Sequence, residues 1–254
     1  ADLLDKNPQA QSAQITTIDN TLLAYGQNDK YLYLINPFTK QTTAKEYSNV
    51  FHLQAASTPK EQDTTIFIAG PDKIAAYNKE TSIISTKDIA FPHTNVQLAA
   101  LFVYNRRLYT LDPNNNQIYK HNPTQTGYDK GAAWLKDAQT DVKDGISLAI
   151  DGDVFILKKN GEILKLVNGV KADFNTSGID PKLENPNVLW TYNNVNNIYI
   201  LESTNQRVVV LDKTGKLLKQ YTATEWQNPT GLVVDETKKT IYVLDSNKIY
   251  KFNF

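Results

Sequence analysis

Six segments of this chain fit one template. Leu22-Leu-Ala-Tyr-Gly26, Ile66-Phe-Ile-Ala-Gly70, Leu108-Tyr-Thr-Leu-Asp112, Val154-Phe-Ile-Leu-Lys158, Ile198-Tyr-Ile-Leu-Glu202 and Ile241-Tyr-Val-Leu-Asp245 start 42 to 46 residues apart. That period is the length of a β-propeller blade and exceeds that of most helical arrays. A second column repeats in step: Tyr31–Asn36, Lys73–Asn78, Gln117–Asn122, Glu162–Val167, Arg207–Asp212 and Lys248–Asn253 align without a gap. Five of the six end in Asn or Asp, which open turns by bonding their own backbone. Between the two columns lie short polar turns such as Ser203–Gln206.

The flanks complete the unit. First strands are expected at Gln14–Ile18, Phe51–Ala55, Leu98–Val103, Ile146–Ile150, Val188–Tyr192 and Gly231–Val234. More polar fourth strands are expected at Thr42–Tyr47, Ser82–Ile89, Thr126–Trp134, Val170–Phe174 and Lys216–Tyr221. Four short antiparallel strands per repeat make a blade. The fold class is therefore all-β: a single six-bladed propeller domain over 1–254. Its blades fall near 13–47, 50–89, 96–134, 145–174, 187–221 and 230–254. The sixth unit has only three strands, and open edges invite aggregation. Residues 1–6 are expected to supply the fourth and close the ring. Helical turns are expected only at Ala132–Ala138 and Pro181–Glu184.

Composition limits partners. Lys and Arg number 27 and so do Asp and Glu, which gives no general attraction to nucleic acid or acidic membranes. No apolar run is long enough to span a bilayer. Without cysteine there is neither a disulfide nor a thiolate metal site. The absence of methionine, even at position 1, points to a processed protein or a domain of a longer one. Localisation leans to an extracytoplasmic domain of a membrane-anchored bacterial protein, and the domain is expected to be monomeric.

The residues Asn197–Asp212 resemble the NHL repeat, in which a strand ending in an acid leads through an Asn-containing turn to an Arg-led strand. Asn228-Pro-Thr-Gly-Leu-Val-Val-Asp235, followed by Ile241–Asp245, resembles the opening of the same repeat. Gln206-Arg207 stands where the family carries His-Arg, and Gly26, Gly70 and Lys158 replace the acid in three blades. The resemblance implies a binding platform, in some bacterial cases the sensor domain of a signalling protein. A minority of six-bladed relatives are lactonases, strictosidine-synthase-like proteins or a metal-dependent lyase.

Chemistry is sparse. Of three histidines, His52 is placed in an inner strand, His93 in a loop and His121 near the end of a third strand. That spread does not suit a metal site of three or four converging ligands. Asp112, Glu202 and Asp245 close second strands, and their recurrence fits a framework role of capping turns, pairing Arg207 or accepting backbone amides. Asp19, Asp151 and Asp235 follow inner strands on the opposite face. No phosphate loop or nucleophile motif is present. The blade-connecting loops and second-to-third-strand turns share one face, and there the candidate ligand-binding residues are Phe91, His93, Trp134, Glu184 and Trp226. Trp190 is expected at the channel or between blades. The reading is a non-catalytic propeller that binds a protein, peptide or glycan on its loop face, with no cofactor and no metal. The alternative is a lactonase-like or other hydrolase with a metal in the central channel.

Overall fold

The structure, a computed structural model, describes residues 1–47, 53–57 and 63–254. Six sheets follow one another around a ring. Five have four antiparallel strands in chain order, and the sixth has three. Inner strands run at Gln14–Ile18, Ala56–Ser57, Ala100–Tyr104, Gly145–Ile150, Pro186–Trp190 and Pro229–Asp235. Neighbouring inner strands pack side by side around the axis.

Second strands, and the third strands of all but the last blade, are largely buried, as at Ile198–Glu202 and Arg207–Leu211; Lys248–Asn253 buries only Ile249. Each blade has another blade on both sides, so both faces of these strands are covered. Continuous β-branched runs such as Val208-Val-Val210 suit that environment better than alternation does. The core is accordingly divided into layers between blades. Fourth strands alternate poorly and face solvent, as Leu217–Thr222 does.

The ring closes through the N-terminal segment. Asp2 bridges antiparallel to Lys248, Ile249 N donates to Ala1 O at 2.8 Å, and Leu3 N donates to Asn247 O at 2.9 Å. Leu3 is fully buried with Ala10, Tyr33 and Tyr242. Residues 1–3 thus supply the short fourth strand of the last blade and its apolar anchor.

A second contact joins successive blades at their rims. The chain leaving one outer strand lies against the third-to-fourth-strand turn of the next blade. Asp88 bridges Gly127, Lys136 N donates to Gly169 O at 2.8 Å, and Ser177 N donates to Gly215 O at 3.0 Å. A Cβ on Gly127, Gly169 or Gly215 would sit 2.1, 2.2 or 2.6 Å from the carbonyl oxygen of Asp88, Trp134 or Asn175. Glycine recurs in these three turns because the incoming backbone occupies the side-chain position.

Several sequence expectations shift. The first strand of the second blade pairs at Ala56–Ser57, after the expected Phe51–Ala55, of which Phe51 and His52 lie outside the described residues. The loop at 48–50 lies outside them too. The third blade's outer strand is only Ala132–Ala133, because Pro123, the contact at Gly127 and the turn at Gly131 keep the earlier residues off the ladder. No helical turn forms at Ala132–Ala138 or Pro181–Glu184. The first pairs as strand, and the backbone carbonyls of Pro181 and Lys182 are held by Arg207.

Candidate functional site

On the loop face, the acids that end second strands hold backbone. Asp245 accepts the amides of Gln227 and Asn228 at 2.8 and 2.7 Å. Glu202 accepts the amide of Glu184 at 2.5 Å and the Nε of Arg207 at 2.5 Å. Asp112 accepts the amide of Gln97 at 3.1 Å, the Asn115 side chain at 2.7 Å and the Tyr119 hydroxyl at 3.2 Å. In each case the bonded loop is the one that enters the same blade. Buried amides of a loop need such acceptors, and a carboxylate supplies several lone pairs at one point.

Two of the three blades without the acid reach the same end by other means. A Cβ at Gly26 would lie 2.4 Å from Gln11 O, so the loop passes too close for any side chain there. Asp29, three residues on, takes the Gln11 amide at 2.8 Å instead. In the fourth blade the polarity is reversed: Lys158 points its ammonium at Asp141 of the incoming loop, 3.8 Å away, and at Glu162, 3.4 Å away.

The five candidate residues do not converge. Phe91 and His93 meet around one ring, with Phe91 5.4 Å from Tyr119 and 5.2 Å from His121 between centroids. His93 Nδ1 is 3.0 Å from the Tyr119 hydroxyl, which in turn donates to Asp112. Burial and the Asp112 charge raise the Tyr119 pKa, so the phenol stays protonated. Trp134 lies half-buried at the seam of the third and fourth blades, edge-on to Tyr109. Glu184 has an exposed carboxylate on the loop whose amide Glu202 holds. Trp226 is 2% exposed and packs on Phe252 in the layer between the last two blades. Its ring is therefore core, and it presents no surface to a partner. Of the histidines, His121 is fully buried between Thr110 and the carbonyl of Asp129.

Tyr192 fills the channel. It leaves the fifth blade, bridges to Ile150 of the fourth and stacks 4.9 Å from Phe102 of the third. Above it remains a cavity of about 100 Å³, bordered by Thr16, Tyr25, Gln54 and Ser147 among others. No acid, lysine, arginine or histidine borders it among the described residues. Burial raises the pKa of both Tyr25 and Tyr192, which keeps the cavity uncharged. Among the described residues no group of three or more His, Asp or Glu is placed to hold a metal ion.

The larger cavity, about 320 Å³, opens at the other mouth, on the face of the first-to-second-strand turns. Turns of the fifth, sixth and first blades enclose it, with Trp190 and Tyr192 on the axial side. Its charges are engaged. Asp19 pairs with Lys79, Asp235 with Lys238 at 3.1 Å, and Glu236 accepts from Asn196 N, Asn197 N and the Tyr199 hydroxyl. The sequence places mostly short polar turns on this face, such as Lys79–Thr81 and Lys213–Gly215. The available signal was Asp19 and Asp235 at matching turns of blades that become neighbours once the ring closes.

No protein-family model matches this sequence, and comparison with curated proteins finds no match. Solved structures do resemble it. Virginiamycin B lyase from Staphylococcus aureus aligns over 100% of this chain and 87% of its own, at 14% identity and a TM-score of 0.62. A streptogramin B lyase aligns over 96% and 94%, at 12% identity and 0.66. A protein from Bacteroides uniformis, provisionally named a 6-phosphogluconolactonase, aligns over 92% and 79%, at 13% identity and 0.61. At such identities the shared property is the propeller fold. The NHL likeness rests on the motifs of the last two blades.

Proposed function

We propose that this chain is a non-catalytic recognition module of the NHL-like kind. It presents its loop face to a protein, peptide or glycan, as the binding or sensor part of a larger bacterial signalling or surface protein. The observation that carries this reading is the engagement of the loop-face acids. Asp112, Glu202 and Asp245 hold incoming loops by their backbone amides. Loops fixed in this way bind with little further loss of conformational freedom. His93 and Glu184 are the candidate residues whose side chains a partner reaches, with Phe91 against the same Tyr119 ring as His93.

Peptide and glycan arrays probed with the intact chain test this. A hit that survives should weaken in a His93→Ala, Glu184→Ala variant and persist in a Lys213→Ala variant on the opposite turns. A hit indifferent to both loop-face changes overturns the assignment. The runner-up, a lactonase-like or other hydrolase with a channel metal, draws on the lyase and lactonase folds among its structural neighbours. Elemental analysis separates the two. Stoichiometric metal that raises the melting temperature favours the hydrolase.

A further inference from the structure

We propose that the 320 Å³ pocket on the turn face is a binding site for a neutral sugar residue, separate from the loop face. Its volume is at the lower end of the range for small-ligand sites, which suits one ring and not an extended polymer. The charges at its border are already matched. Lys79 neutralises Asp19 and Lys238 neutralises Asp235, while four protein donors surround Glu236. A charged ligand would have to break one of these pairs to find a counter-ion, and a neutral one would not.

The polar groups left over are uncharged. The side chains of Asn194 and Thr237 make no hydrogen bond among the described residues, and both border the pocket. They offer a hydroxyl and an amide, each able to donate and accept, as sugar hydroxyls require. Trp190 and Tyr192, 5.2 Å apart between centroids, give an aromatic wall beside Val195 and Val233. An aromatic wall with a few convergent neutral hydrogen-bonding groups matches a pyranose, whose faces carry C–H bonds and whose edge carries hydroxyls.

Titration of the intact chain with glucose, galactose and N-acetylglucosamine, against glucosamine and glucuronic acid, tests this by NMR shift mapping. At least one neutral probe should saturate, with shifts confined to the turns at 17–20, 192–195 and 235–238. Thr237→Arg, at an exposed rim position, should abolish saturation without moving the melting temperature. Asn194→Ala, at an exposed position, removes one amide from the pocket, so it should weaken binding about two- to tenfold. The proposal fails if no neutral probe saturates, if a charged probe binds tighter than its neutral counterpart, or if Thr237→Arg binds as the parent does.

Discussion

Glu202 and Arg207 form an ion pair, 2.5 Å long, in which the two side chains are 0% and 3% exposed. The pair does more than join two strands. Arg207 extends its guanidinium to the carbonyls of Asp180, Pro181 and Lys182 and to Gln220, while Glu202 holds the Glu184 amide. One pair thus secures the whole loop that enters the fifth blade. Removing either partner leaves a buried charge and several unpaired backbone groups. Glu202→Ala or Arg207→Ala should each cost about 3–5 kcal/mol in urea unfolding. Arg207→Lys should recover little, since a single ammonium cannot serve four carbonyl-type acceptors at once. A change below about 1 kcal/mol in Glu202→Ala would mean that the loop holds itself.

The blade-to-blade contact at the rim can be tested by glycine substitution. Gly169 has φ +85 and no room for a Cβ beside Trp134 O, whereas Gly152, at φ +125, has only the Tyr104 hydroxyl at 3.9 Å. Both replacements by alanine incur backbone strain, on the order of 1–3 kcal/mol. Only Gly169→Ala must also push the third and fourth blades apart. Its melting temperature should therefore fall clearly further than that of Gly152→Ala. Equal losses would show that the rim contact adds nothing beyond backbone conformation.

The sequence made the architecture legible because blades repeat. The column at Val208-Val-Val-Leu211 and its five counterparts carry both the strand count and the sandwiched position of those strands. Ring closure was legible for the same reason, since a three-stranded last unit demands a donor and Ala1–Leu3 provides it. The outer strand of the third blade was not, because the contact between Asp88 and Gly127 that draws it off the ladder is made with a different blade. The pocket was least legible. Its walls come from positions near 19, 194 and 236, which only the closed ring brings together. Trp226 misled for a related reason: a loop position says nothing of whether a neighbouring blade covers the ring.

His121 makes stability depend on pH. Its Nδ1 donates to Asp129 O at 3.0 Å, leaving Nε2 to accept from the Thr110 hydroxyl at 3.1 Å. Burial is the largest influence and lowers its pKa, outweighing the nearby Asp129. The unfolded imidazole takes a proton at about 6.5, so below that value the unfolded state binds more protons than the folded one. The contribution is complete above about pH 6.5 and is lost as pH falls toward the depressed folded value. Unfolding free energy should drop between pH 7.5 and 5.5, by up to about 1.4 kcal/mol per unit from this group. His121→Gln should be less stable at pH 7.5 yet show a flatter slope. An unchanged slope would place the pH dependence elsewhere.

Trp226 and His93 separate core from surface on the loop face. The Trp226 ring is enclosed by Phe252 and the surrounding layer, so Trp226→Ala opens a large void between the fifth and sixth blades. Truncations of that size cost about 3–5 kcal/mol. His93 is exposed, and its one side-chain bond among the described residues is to the Tyr119 hydroxyl, which keeps Asp112 as a second partner. His93→Ala should stay within about 0.5 kcal/mol of the parent. Urea unfolding of the two variants, followed by near-ultraviolet circular dichroism, distinguishes them directly. For partner binding the order reverses. His93→Ala should weaken a loop-face partner at unchanged stability. Trp226→Ala should weaken it only in proportion to the unfolded fraction. A Trp226→Ala protein that melts like the parent but has lost its partner would put the indole at the interface, with the layer between the last two blades open around it.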